Sequence, residues 1–217
     1  MSDIKNGKLS GKISDVVSLL LNLLIVVLGT YGTIITWNRV HMGMFQYYTV
    51  LSNIFGVLAC ATLAVFLVIK LATNRQIPKI VYMIKYLAVC CLTVTLIVVI
   101  TVLAPMRGEG GYEYLLTKDD MLFHHLLCPL ISIVSFVIFD KLPLKTVKSA
   151  LLAILPTAVY GLVAIVLNIA HIIVGPYPFL RVYNQSVLAS VMWFIAIFAM
   201  AFLIAFLIAL TKYRRKN

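Results

Sequence analysis

Charge is scarce in this sequence, and negative charge most of all. Of 217 residues only 12% are Asp, Glu, Lys or Arg and seven are acidic, whereas 63% are hydrophobic. That is too little polar surface to cover a water-soluble globule of this length, so the composition calls for a bilayer as solvent. Internal repeats, sustained heptads and long polar stretches are also missing, which excludes a solenoid, a coiled coil and a soluble second domain. The few cysteines, Cys60, Cys90, Cys91 and Cys128, all fall in apolar runs and none in a loop. No disulfide framework is expected from that placement. Cys90 and Cys91 diverge by about 100° on a helix and read as small packing residues.

What the chain does have is apolar runs long enough to cross a membrane, each of about 20 residues or more. They extend from Asp15 to Trp37, Gln46 to Leu71, Ile80 to Ala104, Met121 to Phe139, Ser149 to Val174 and Ser186 to Thr211. The expected fold is all-α: one polytopic membrane domain of six transmembrane helices with short connections. Lys5, Lys8 and Lys12 resemble the basic start of a signal peptide. The run behind them is too long and lacks a small-x-small cleavage site, so it is expected to remain as a span.

A net charge of +11 does not mark a nucleic-acid binder, because the basic residues punctuate apolar runs and form no folded face. All of them except Arg39, Arg107, Lys118 and Arg181 belong to the N-terminus, the second loop with its flanking Lys70 and Lys85, the fourth loop and the C-terminal tail. That asymmetry predicts a multi-pass protein of the cell membrane with both termini in the cytoplasm. On the opposite side, the loop from Pro105 to Asp120 carries Glu109, Glu113, Asp119 and Asp120. Gly108, Gly110 and Gly111 predict a flexible loop, and Asp119 or Asp120 is placed to cap the fourth helix.

Polar side chains are costly inside hydrocarbon, so their clustering is informative. They gather near the predicted outer surface. In the second span Gln46, Thr49 and Asn53 recur at helical spacing, and the fourth span opens with His124 and His125. At about 1.5 Å per residue, Thr49 and the histidine pair lie at a similar depth. A threonine hydroxyl becomes a nucleophile when a neighbouring histidine takes its proton. Thr49 with His124 or His125 is therefore a candidate dyad. The alternative is a Thr49 hydroxyl bonded back to its own helix, with both imidazoles hydrated among lipid headgroups.

Pro129 lacks an N–H, leaves the His125 carbonyl without its helical partner and predicts a kink. Tyr160, Asn168 and His171 share a stripe on the fifth span and are candidates to bind substrate or orient the base, or else to pack. Asp120 is placed either to hold His124 or to cap its helix. Tyr47, Tyr48 and Asn53 are candidate donors to an oxyanion. Cys128 is a rival nucleophile, though buried cysteine is usually inert. Zinc wants three or four converging ligands. His124 and His125 diverge and no H-x-x-x-H spacing relates them to His41 or His171, so no metal and no cofactor is expected.

Tyr47-Tyr48-Thr49 in the second span, His124-His125-x-x-Cys128-Pro129 in the fourth, and Tyr177-Pro178-Phe179-Leu180 before the sixth resemble the androgen-induced and androgen-dependent TFPI-regulating proteins, and most of all their bacterial relatives. The likeness runs in order over most of the chain. It implies an intramembrane hydrolase of lipid esters, such as fatty acid esters of hydroxy fatty acids, with its threonine nucleophile on Thr49. The eukaryotic spacing to the proline selects His124 as base; the bacterial spacing selects His125, which is preferred here. Ser52-Asn53 after the threonine departs from the eukaryotic members. An acyltransferase would use the same residues with a second lipid in place of water. A different class, the substrate-capture subunit of a vitamin transporter, would carry a small-xxx-small docking stripe on an early helix, and the centre of the first span, Asn22 to Val26, shows none.

Overall fold

The computed structural model describes residues 2–140, 142, 144 and 146–214, with side chains from 11 to 212. Of the basic residues behind the predicted orientation, Lys141, Lys145, Arg215 and Lys216 lie outside the described residues, as do the side chains of Lys5, Lys8 and Arg214.

Six helices are long and apolar enough to cross a membrane: α1 (Gly11–Gln46), α2 (Tyr48–Thr73), α3 (Lys79–Arg107), α4 (Asp119–Phe139), α5 (Thr146–Ile169) and α6 (Val187–Lys212). No strand occurs among the described residues. α1 winds as one helix from Ser2 to Val40 and closes with a 3-10 turn, His41–Gln46, that leads directly into α2. α2 stops at Asn74, whose left-handed φ of 57° lets its N–H bond the Lys70 carbonyl at 2.8 Å; asparagine tolerates that conformation better than most residues. Pro78 then sits just before α3 and blocks helical continuation backwards.

α3 is the central helix, with 67% of its most apolar stretch buried within the protein, well above the other five. α1 packs against α2 and α4, α3 against α2 and α4, and α6 against α3 and the first half of α5. α2, α4 and α6 all begin at one end of the bundle, termed the site end below. At the far end Asp15 meets Lys70 at 2.7 Å. The fully buried Lys85 ammonium approaches the Cys60 sulfur at 2.7 Å, and Ser18 donates to Asp140 at 3.0 Å. Lys212 closes the end of α4 by donating to the carbonyls of Phe136 and Asp140.

Two wide π turns interrupt the α winding, Val99–Leu103 in α3 and Leu122–Leu127 in α4. Each lies just ahead of a proline, Pro105 or Pro129, that cannot donate to the carbonyl four residues back. Within each turn an N–H reaches five residues back, from Ala104 to the Val99 carbonyl and from Cys128 to that of Phe123. In α4 the expected disturbance at Pro129 therefore takes the form of a π turn holding both histidines. The connection expected to be a flexible loop instead carries a short helix, Gly111–Thr117, entered through Gly108 and Gly110, both at positive φ where glycine is unstrained. Neither Asp119 nor Asp120 caps α4 through its side chain.

Candidate active site

Thr49 stands in the first turn of α2, where backbone N–H groups have no partner within the helix. Its N–H is taken up by the Tyr177 hydroxyl at 3.1 Å, and the same oxygen lies 3.2 Å from Thr49 Oγ1. Tyr177 reaches this point from the connection before α6, and burial pushes its phenol up from the ordinary value, so the group stays protonated. Because Tyr177 accepts from the N–H, its own proton is free to point at Thr49 Oγ1. The Thr49 hydroxyl thus faces Tyr177, and no bond back to its own helix is found for it.

His125 is held on its other side. Its Nδ1 lies 2.7 Å from the carbonyl oxygen of Leu115 in the short helix Gly111–Thr117. A carbonyl only accepts, so Nδ1 carries the proton and Nε2 keeps a free lone pair, the form a general base needs. His124 is engaged differently. Its Nε2 lies 3.4 Å from Thr33 Oγ1, whose own proton goes to the Gly29 carbonyl at 2.7 Å. Thr33 therefore accepts from Nε2–H, and the ring is locked against α1. Gly32 permits this approach, since a Cβ there would stand 2.9 Å from His124 Nε2.

Thr49, His124 and His125 all line one cavity of about 340 Å³ at the site end, together with Arg39, Arg107, Asp120 and Tyr177. No hydrogen bond joins Thr49 to either imidazole among the described residues; they share the lining of one hollow, which offers room for a reacting group. Asp120 is buried and accepts from Thr36 and Arg39, each at 2.7 Å, so α1 holds this carboxylate and His124 does not. Arg107 lies 3.7 Å above the Tyr114 ring at the cavity rim.

The other candidates are distributed around this hollow. Asn53 donates to the carbonyls of Thr49 at 2.8 Å and His124 at 3.1 Å, bracing α2 on the π turn of α4 without lining the cavity. Tyr48 turns toward α5, its hydroxyl 2.7 Å from Thr157 Oγ1, and Tyr160 donates to the Gln46 carbonyl at 2.7 Å. Both line an apolar slot on the other side of Thr49, between α3, α5 and α6. Asn168 organises the connection after α5, donating to the Ile173 carbonyl and accepting from the Val182 N–H. His171, at a left-handed φ of 56°, stacks on Tyr183. Neither residue lines the cavity shared by Thr49 and the histidines. Cys128 is buried against α1, with Sγ 3.6 Å from where a Gly29 Cβ would stand. Among the described residues no three His, Cys, Asp or Glu side chains come together as a metal would need.

The sequence offered no role for Tyr177, Leu115 or Arg39. Comparison with protein-family models, curated proteins and solved structures finds no match to this chain.

Proposed function

We propose that the chain is a multi-pass protein of the cell membrane that hydrolyses fatty acyl esters, with Thr49 as nucleophile and His125 as base. The observation that carries the reading is that Thr49 Oγ1 and an imidazole with a free Nε2 line the same cavity. Nε2 takes the Thr49 proton as Oγ1 attacks the ester carbonyl. The proton then passes to the departing alcohol, leaving the acyl group on Thr49. Water, deprotonated by the same nitrogen, releases the fatty acid and restores the threonine. Tyr177, the hydroxyl nearest the attacking oxygen, is the donor for the transient oxyanion. The distribution of Lys and Arg supports cytoplasmic termini, which sets the site end at the outer surface.

Purified protein in detergent should turn over a fluorogenic fatty acyl ester and accept a fluorophosphonate label, and Thr49→Ala should lose both while keeping its far-UV circular dichroism. Undiminished turnover by Thr49→Ala would end this reading. Acyl transfer to an added alcohol, read from the products, distinguishes a transferase that uses the same groups.

A further inference from the structure

Thr49 stands in the partition between two spaces of opposite character. Behind it, away from the histidines, the slot between α3, α5 and α6 shares Thr49, Tyr177 and Leu103 with the polar cavity. On α3 the slot extends from Leu103 to Val94, on α5 from Ile165 to Thr157, and on α6 from Ser190 to Phe198. Each stretch amounts to about 12 Å of depth at roughly 1.5 Å per residue.

Beyond the mouth the slot asks nothing polar of an occupant. The hydroxyls of Tyr48 and Thr157 bond each other, Thr95 pairs with Ser52 at 2.9 Å, Tyr160 bonds the Gln46 carbonyl and Ser190 that of Ser186. An occupant with polar groups would leave them unpaired there, so the slot suits hydrocarbon. A second apolar space adjoins the slot. The rings of Tyr48 and Tyr160, 5.1 Å apart, border both the slot and a wider groove of about 730 Å³ between α2 and α5. The groove residues Leu51, Val159 and Val163 are exposed.

We propose that this slot holds the acyl chain of an ester whose carbonyl sits at Thr49, and that its depth selects a single unbranched chain of medium length. A fully extended chain of about ten carbons, with bonds of about 1.5 Å laid in a zigzag, spans about 12 Å, and the open space along that lining is narrow, about 60 Å³. The inference rests on the hydrolase reading and adds to it the class of acyl group. Gly161 sets the width. A Cβ built there meets only Phe194 Cε2, at an ordinary 3.9 Å, so a larger side chain enters the slot without displacing α5. Phe198, stacked on Phe194 with ring centroids 4.2 Å apart, closes the deep end.

The test compares p-nitrophenyl acetate, octanoate, decanoate and palmitate with wild type, Gly161→Leu and Phe198→Ala in detergent. Gly161→Leu should lower the decanoate-to-acetate turnover ratio by about tenfold or more, and Phe198→Ala should move the optimum toward palmitate. A chain-length profile unchanged in both variants, with Thr49-dependent turnover present, overturns the slot and leaves the hydrolase standing. Occupancy is read apart from chemistry by photocrosslinking diazirine-bearing decanoic acid to the Thr49→Ala protein. Adducts on Trp193, Phe194 or Ile197 support the slot even if no ester is turned over. Adducts confined to lipid-facing residues such as Leu203 overturn it.

Discussion

The two ends of the bundle bury comparable polarity and use it differently. At the far end Lys85, Asp140 and Lys212 are enclosed with Ser18 and Cys60, and none of the cavities described above reaches them. At the site end Asp120, His124 and His125 are equally buried, yet they line a hollow. Unpaired polar atoms do not separate the two, since among the described residues Asn22 Oδ1, Ser132 Oγ and Asp140 Oδ2 lack partners on one side and Asn53 Oδ1 on the other. The difference is space. Polar groups packed solid hold helices together, whereas the same kinds of group around a cavity are available to a reactant.

The sharpest way to break that contrast is to alter each end and measure both chemistry and stability. His125→Ala should cut ester turnover by about 10²–10⁴-fold, the usual contribution of a positioned base, with little change in thermal midpoint. Asp140→Ala should do the reverse. It removes the buried acceptor of the Ser18 hydrogen bond, and leaving such a donor without its partner costs about 1–3 kcal/mol. Turnover per folded molecule should stay near wild type. Equal loss of turnover from both variants would show that the two ends are not separable.

The far end should also announce itself through pH. Burial raises the Asp140 carboxyl from 3.8 to about 6, against the opposing pull of Lys85 and the Ser18 hydrogen bond. The folded protein holds that proton after an unfolded chain has released it. The associated stability is therefore complete below pH 3.8 and lost as pH rises through about 6. Thermal midpoints in detergent should decline over that interval in wild type and stay flatter in Asp140→Asn. The smallest effect is expected within the site itself: His124→Gln should lower turnover by less than about tenfold, because α1 already holds that ring. A larger loss than that of His125→Ala would exchange the two assignments.

Much of the frame was legible because hydrocarbon imposes long apolar runs, and all six expected spans coincide with helices to within a few residues at most ends. The fifth is the instructive departure. Hydrophobicity continues to Val174, but the helix ends at Ile169, because Asn168 satisfies the Ile173 carbonyl and Val182 N–H of a folded connection. Composition cannot see that exchange of backbone partners. Counting residues along spans that begin at one end put Thr49 and the two histidines at one level, and all three line one cavity. Tyr177 did not follow, since a contact across 128 positions depends on how a connection folds back over the bundle. The Leu115 carbonyl that orients His125 is a backbone atom and carries no residue-type signal at all. Thr36 was passed over because the first span read as plain membrane helix, and Arg39 because it entered only the count of loop charges, although together they occupy the carboxylate expected to serve His124 or cap α4.

The widened turns of α3 and α4 have a consequence for anyone drawing a helical wheel. Each takes up about one residue more than regular winding would, so angular phase slips by roughly 100° on passing it. Asp120 lies before such a slip and His124 within it, and four positions of separation do not stack them. Deleting one residue between Leu122 and Leu127 would restore uniform winding and leave the helical content almost unaltered, while rotating His125 away from Leu115; the spectrum would look healthy and the chemistry would be gone.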